Sequence, residues 1–233
     1  MVPRLDAHEA LRAFLSDLHG WSWQLGDAST GWYAQATAQG RPVMGLGVSP
    51  EARPVPTIHF AVDDAAAAAA RARELGATVL FGPQAVLDLG TTVIVRDPAG
   101  ATVGLWQAGT FAGFGAINEP GAPGWFDHVS RDADAAGAFY SALTGATLTQ
   151  PDASMSILAH GDAWFASLTQ RDDVEAQWMP VVVHPDLAAA RRATVAAGGT
   201  VVVPEMPVPG TTICVVADPV IHAAWTVMAA GAG

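Results

Sequence analysis

The chain lacks lysine and has a single cysteine among its 233 residues. Without lysine, neither Schiff-base catalysis on a Lys amine nor the phosphate-binding lysine of a P-loop is possible. Because Cys214 stands alone, the chain can form no internal disulfide and no cysteine-cluster metal site. This thiol lies in the apolar stretch "TTICVVADP", so we expect it to be buried and inert.

Positive charge is also scarce. Eleven basic residues face 22 acidic ones, and the net charge is −11. Nucleic-acid binding requires clustered Lys and Arg to neutralise phosphates, so we expect no nucleic-acid partner.

The long apolar runs that form membrane-spanning helices are also absent. No run reaches the ~18 residues of a membrane helix, so we expect no membrane partner. The N-terminal "MVPRLDAHEALRAFL" lacks the charged-then-apolar layout of a signal peptide. We therefore expect a cytoplasmic protein. No phosphate loop and no G-x-S-x-G nucleophile motif occurs, and we expect no cofactor.

The chain contains an internal repeat. "AVDDAAAAAARARELGATVLFGP" resembles "VHPDLAAARRATVAAGGTVVVPE", and the turn "RDPAG" has a counterpart in "ADPVI". Asp97 and Asp218 of the two turns lie 121 residues apart, as do Val62 and Val183. A tandem duplication explains this spacing. We predict an N-terminal domain over residues 1–112, a Gly/Pro-rich linker over 113–122 and a C-terminal domain over 123–233.

Each half divides again into two similar units. Apolar residues recur at i, i+3, i+4 and i+7 in the first predicted helix, at Leu11, Phe14, Leu15 and Leu18, and Gly20 ends it. Asp63–Asp64, Asp132 or Asp134, and Asp186 mark the starts of three further helices. A short strand precedes each of these three helices, and several strands follow. The pattern predicts an α+β fold of four βαβββ units, paired into two domains.

Three stretches carry a resemblance to a known family: "IHFAVDDAAAAAARARELGATVLFGP", "VRDPAGATVGLWQ" and "FDHVSRDADAAGAFYSALTG". They resemble the vicinal oxygen chelate superfamily of glyoxalase I, bleomycin-resistance proteins, fosfomycin-resistance enzymes and extradiol dioxygenases. Within it, the chain is similar to the two-domain, glyoxalase-like proteins of actinomycetes that are often labelled hydroxylases. The resemblance implies that the two βαβββ units of each domain form a curled eight-stranded sheet around a cleft.

The resemblance also implies where metal ligands would lie. Metal-binding members use a His or Gln on the first strand of a unit and a Glu on its last strand. In the first unit, the first-strand position falls near Pro3 and the last-strand position at Met44 or Gly45. In the second unit, these two positions fall at His59 and Gly104. In the third unit, the first-strand position falls at His128 and the last-strand position at Phe165 or Ala166. In the fourth unit, these two positions fall at Pro180 and Trp225.

Each predicted domain thus keeps one imidazole and no carboxylate at these positions. Catalytic metal sites use about three protein ligands, so we expect no metal. A metal site would require His59 to pair with His128 across the domains, together with a loop carboxylate such as Glu51 or Glu205. We further expect the rings of His59 and His128 to face the interior of their sheets, with Ala61 and Ser130 on the same faces.

Aromatic residues offer a different kind of site. The chain has eight Trp. Core packing explains part of them, and an aromatic cleft that stacks a flat ligand is the functional alternative. Trp225 maps to a ligand position, and Trp106 follows Gly104 by two residues and therefore shares its face. The candidate ligand-binding residues are Gly104, Trp106, His59, His128 and Trp225.

Three functions remain open. The first is a metal-independent protein that binds a small hydrophobic or aromatic metabolite or antibiotic, as a monomer or weak homodimer. The second is an enzyme of the same superfamily, a glyoxalase-type lyase or isomerase or a dioxygenase, with an atypical site that uses His59 or His128 as acid or base. The third is a regulatory or partner-binding domain without a ligand.

Overall fold

The computed structural model describes residues 4–48, 56–152 and 155–231. Within these residues the chain forms four α-helices, one short 3₁₀ helix and fifteen strands, which confirms the α+β class. The helices are α1 (Leu5–His19), α2 (Ala65–Glu74), α3 (Ala133–Thr144) and α4 (Leu187–Ala196). The strands are β1 (Ser22–Leu25), β2 (Ala34–Ala38), β3 (Arg41–Leu46), β4 (His59–Ala61), β5 (Thr78–Val86), β6 (Gly90–Arg96), β7 (Thr102–Ala108), β8 (Pro123–Ser130), β9 (Thr147–Asp152), β10 (Met155–His160), β11 (Ala163–Gln170), β12 (Gln177–His184), β13 (Thr200–Val208), β14 (Thr211–Ala217) and β15 (Ala224–Ala229).

The helices begin where their capping residues predict. The carboxylates of Asp64, Asp132 and Asp186 accept hydrogen bonds from backbone N–H groups of the first turns of α2, α3 and α4. These bonds satisfy donors that have no partner within the helix. Gly20 and Gly145 adopt left-handed conformations and end α1 and α3.

The strands repeat one arrangement. In the second, third and fourth repeats, the first strand pairs in parallel with the last strand, and the two strands between them extend the sheet in antiparallel fashion. The sheet orders are β1-β2-β3, β4-β7-β6-β5 and β13-β14-β15-β12-β8-β11-β10-β9. The first repeat is described from α1 onward, because the strand expected near Pro3 lies outside the described residues.

The chain divides into two compact units. One comprises residues 1–56, 114–125 and 180–233, and the other comprises residues 57–113 and 126–179. Each unit has its own core, and we call them unit 1 and unit 2 in this order. Helices α1 and α4 contact each other in unit 1, and α2 and α3 do so in unit 2.

These units differ from the predicted domains. They combine the first repeat with the fourth and the second with the third, whereas we predicted that consecutive repeats pair. The boundaries at residues 112 and 123 describe the repeat in the sequence, and as domain boundaries they stay a prediction. Residues 114–122 of the predicted linker are folded into unit 1, where Gly115 N–H bonds Pro42 O and Gly121 N–H bonds Val183 O, each at 2.8 Å.

In the part of the chain that the structure describes, no helix is long and apolar enough to cross a membrane.

Candidate functional site

The four-stranded sheet of unit 2 has one packed face and one open face. Ile58, Val93, Val95, Val103 and Leu105 point to the packed side and join the buried core with α2. Alternate residues point to the other side, which we call the open face. It carries His59 and Ala61 on β4, Gly104 and Trp106 on β7, Thr92 and Ile94 on β6, and Phe81 and Gln84 on β5.

The open face is arranged in two cross-strand rows. Strand register places His59 opposite Gly104, Gly104 opposite Ile94 and Ile94 opposite Phe81. The second row runs from Ala61 through Trp106 and Thr92 to Gln84. Directly opposed residues have Cβ atoms about 5 Å apart, so neighbours within a row can touch the same ligand. The register thus confirms that Trp106 and Gly104 share a face.

The imidazole of His59 lies over Gly104. A Cβ atom placed on Gly104 would come within 2.0 Å of His59 Cδ2 and 2.3 Å of Nε2. Only glycine therefore accommodates the ring in this position. His59 Nε2 lies 3.5 Å from Thr92 Oγ1, at the outer limit of a hydrogen bond. His59 and Ala61 are exposed, so the expectation that they face an interior is wrong.

The pKa of His59 is lowered from its usual value, chiefly because the ring is desolvated against the sheet, while a hydrogen bond to the Thr57 backbone raises it in part. The imidazole is consequently neutral at pH 7.

Trp106 is held in place by contacts with Phe111 and Gly90. Its Nε1–H donates to Phe111 O at 2.9 Å, and its ring meets Phe111 edge-on at a centroid distance of 6.3 Å. The ring also lies against Gly90, where an added Cβ would be 2.5 Å from Cζ2. The only donor of the indole is thus satisfied, and the half-buried ring offers an apolar surface on the open face.

The donor set does not fit a divalent metal. Besides His59, the open-face side chains named above supply one hydroxyl from Thr92, one carboxamide from Gln84 and otherwise carbon or an indole. In the ring position observed, Gly104 could not be replaced by the family's Glu, because its Cβ would overlap the imidazole. No group of three or more His, Cys, Asp or Glu is close enough to hold an ion in residues 4–48, 56–152 and 155–231. Of the two loop carboxylates considered, Glu205 pairs with Arg191 at 2.8 Å, and Glu51 lies outside the described residues.

His128 takes a different place from the one the alignment implied. It is fully buried, together with Ser130, and faces the side of the sheet that packs on α3. His59 lies five residues before Asp64, which caps α2. The residue five before Asp132, which caps α3, is Asp127. The assignment of His128 to the first-strand ligand position is therefore wrong by one residue, and a shift of one residue reverses the face. Asp127 holds that position and accepts a hydrogen bond from Ser167.

His128 instead belongs to a buried polar cluster around Asp97, which we call the Asp97 cluster. Its Nε2 lies 3.0 Å from Asp97 Oδ2, which also accepts a bond from the Tyr140 hydroxyl at 2.7 Å. Trp178 Nε1–H donates to the same hydroxyl at 2.7 Å, and Ala101 N–H donates to Asp97 Oδ1 at 2.8 Å. Burial raises the pKa of Tyr140, and the charge of Asp97 adds to the increase. None of the four side chains is more than 3% exposed, so the cluster cannot meet a substrate.

Trp225 also faces a core. It is 5% exposed, packs among the buried residues of unit 1 and donates from Nε1 to Asp218 Oδ2 at 3.1 Å. The reason lies in the preceding turn. Asp97 N–H bonds the carbonyl of Ala101, whereas Asp218 N–H bonds that of Ala223, so the second turn is one residue longer. The extra residue shifts the alternation of side chains along β15 by one residue. Thr226, which pairs with Val181, therefore occupies the position that corresponds to Gly104 in the second repeat.

Sequence reasoning missed three residues of the two sites. Thr92 and Gly90 join the open face only through the pairing of β6 with β7, which no local motif reveals. Asp97 was recognised only as a turn residue. Its repetition at Asp218 was the available signal, since both carboxylates organise their turns and accept a bond from a buried side chain.

Repeated βαβββ units whose first and last strands pair in parallel define a fold of the vicinal oxygen chelate class. The family model described as "Glyoxalase-like domain" matches residues 1–105 and 125–224, and the chain belongs to this family. The resemblance found in the sequence is thereby confirmed.

Relatives and solved structures agree with this assignment. The chain is 29% identical over 224 residues to "Putative glyoxylase CFP32" of Mycobacterium tuberculosis (strain CDC 1551 / Oshkosh), covering 90% of this chain and 86% of that protein. It is 38% identical over 89 residues to "Anthracycline biosynthesis protein DnrV" of Streptomyces peucetius, covering 38% of this chain and 32% of that protein.

Two solved structures share the fold at low sequence identity. The Mn(II)-bound glyoxalase from Novosphingobium aromaticivorans superposes with a TM-score of 0.66 at 16% identity, over 95% of this chain and 77% of that one. The 2,3-dioxygenase LapB from Pseudomonas sp. KL28 gives 0.67 at 13% identity, over 96% and 88%. At these identities the likeness establishes the fold alone.

Proposed function

We propose that the protein binds a planar aromatic small molecule on the open face of unit 2 without using a metal. One observation carries the proposal: the His59 imidazole and the anchored Trp106 indole share a face on which the described strands place no carboxylate. Such a face lacks the ligands for a divalent ion but suits a flat, uncharged ring.

The composition of the face supports the ligand class. The Trp106 ring and the side chains of Ile94 and Phe81 present apolar surface to solvent, and Phe81 is 52% exposed. His59 and Thr92 add polar atoms near its centre. A mostly apolar surface with a few placed polar groups is typical of small-molecule sites. The name of the relative DnrV refers to anthracyclines, which are planar aromatic compounds.

Acid–base catalysis at His128, one form of the alternative enzyme, is disfavoured by its burial within the Asp97 cluster. Acid–base catalysis at His59 would use the same open face, and any reaction there would follow binding of the ligand. We retain the expectations of a cytoplasmic protein that is a monomer or weak homodimer.

The test is isothermal titration with 2-naphthol, a planar probe, against wild type, Trp106→Ala and Trp164→Ala. Trp164 is 61% exposed on β11 and serves as a matched control. Loss of aromatic stacking and buried area should weaken binding about tenfold in Trp106→Ala, equivalent to about 1.4 kcal/mol, and leave Trp164→Ala unchanged. Equal affinities in all three proteins would remove the open face from the site.

A further inference from the structure

The polar pair on the open face is incompletely hydrogen-bonded. His59 Nε2 and Thr92 Oγ1 face each other across Gly104 at 3.5 Å, whereas a strong bond between such groups is near 2.8–3.0 Å. Both atoms therefore retain hydrogen-bonding capacity toward the open side of the sheet. Each belongs to a regular strand, β4 or β6, so the backbone fixes where the pair lies.

The protonation of Nδ1, the second ring nitrogen of His59, determines whether Nε2 can accept a hydrogen bond from a ligand. The ring also hydrogen-bonds the Thr57 backbone two residues earlier in the chain. Because Nε2 is the nitrogen beside Thr92 Oγ1, we assign the bond to Thr57 to Nδ1. A bond that raises the pKa is one in which the ring N–H donates to a carbonyl. In the neutral ring the proton is then on Nδ1, which leaves Nε2 as an acceptor.

We infer that the open face selects a ligand with a hydroxyl group on its aromatic ring, and that His59 and Thr92 recognise this hydroxyl. The phenolic O–H donates to His59 Nε2, and its oxygen accepts the hydroxyl proton of Thr92. Ether, ketone and carboxylate oxygens have no proton to give to Nε2. The inference rests on the proposed function, because it concerns the same face.

The polar pair lies beside the Trp106 indole. Thr92 pairs with Trp106 across the sheet, so a ligand whose hydroxyl lies between His59 and Thr92 has the indole next to its rings. A fused bicyclic ring offers the indole more flat surface than a single phenol ring does.

The experiment compares two probes that differ only in whether the oxygen on the ring carries a proton or a methyl group. Isothermal titration at pH 7.5 uses 2-naphthol and its methyl ether, 2-methoxynaphthalene, against wild type, Thr92→Val and His59→Phe. Thr91→Val is the matched control, because Thr91 neighbours Thr92 on β6 and points to the opposite face. Circular dichroism verifies that every variant is folded.

We expect wild type and Thr91→Val to bind 2-naphthol about tenfold more tightly than its ether. His59→Phe should bind both probes with nearly equal affinity, at the level of the ether in wild type, because it removes the acceptor of the phenolic proton. Thr92→Val should bind both probes more weakly and keep the preference for 2-naphthol, because Thr92 donates to the oxygen of either probe. The inference is overturned if wild type binds both probes equally, if His59→Phe retains the tenfold preference, or if Thr92→Val binds both probes as tightly as wild type. If wild type binds neither probe, the proposed function itself fails, which distinguishes the two failures.

Discussion

The Tyr140 hydroxyl is predicted to be a major source of stability in unit 2. It donates to Asp97 Oδ2 and accepts from Trp178 Nε1, both at 2.7 Å, in a region from which water is excluded. Replacing Tyr140 with Phe retains the ring and removes both bonds. The Trp178 N–H is then buried without that acceptor, and Asp97 loses one of its donors.

The magnitude follows from these two losses. A hydrogen bond to a charged group contributes about 1.5–3 kcal/mol, and an unsatisfied buried donor costs about 1–3 kcal/mol. We expect Tyr140→Phe to lower the free energy of unfolding by about 3 kcal/mol or more. For a chain of this length, 3 kcal/mol corresponds to a decrease in Tm of roughly 6–12 °C.

The assay is thermal and urea unfolding followed by circular dichroism. The chain has only two tyrosines, and the other, Tyr33, is 44% exposed, so Tyr33→Phe is a matched control. We expect the control to change stability by less than about 0.5 kcal/mol. Equal Tm changes in the two variants would refute the reasoning, because the Asp97 cluster would then contribute nothing beyond the packing of the ring.

Three further predictions concern other residues. Burial, with a smaller effect from the charge of His184, lowers the pKa of His19 to about 3. Acid therefore favours the unfolded state, where the pKa is near 6.5, and we expect His19 to reduce stability by about 2 kcal/mol at pH 5 relative to pH 7. Urea midpoints should show a smaller acid loss in His19→Phe, and an identical loss would contradict this. Gly104→Ala should displace the His59 ring, detected as changed imidazole NMR shifts, and weaken 2-naphthol binding at least about fivefold; unchanged shifts would refute the close approach. Trp225→Ala should cost about 3–5 kcal/mol of stability by leaving a cavity, with the affinity of the folded protein for 2-naphthol unchanged; a loss of affinity in the folded protein would return Trp225 to the site.

Features encoded by local sequence were predictable. Capping aspartates such as Asp64, terminating glycines such as Gly20 and apolar periodicity located the helices, because each acts within one or two turns. The duplication and the βαβββ order followed from stretches long enough to align. The pairing of Gly104 with His59 followed from the resemblance and the strand register agrees with it.

The errors came from single-residue differences in connections. His128 lies one residue closer to the capping residue of its helix, Asp132, than His59 lies to its own, Asp64. The turn at Asp218 is one residue longer than the turn at Asp97. Because a strand alternates its side chains, each difference moved a predicted site residue into a core. Sequence similarity tolerates a shift of this size, whereas strand register does not. The His59–Thr92 pair was not predictable, because it depends on three paired strands at once.

Metal-free binding is the central claim, and one measurement tests it most directly. 2-Naphthol is titrated calorimetrically into the same wild-type preparation after dialysis against EDTA and after addition of equimolar Mn²⁺. The account predicts saturable binding with the same Kd in both samples. Binding that disappears with EDTA and returns with the metal would contradict it.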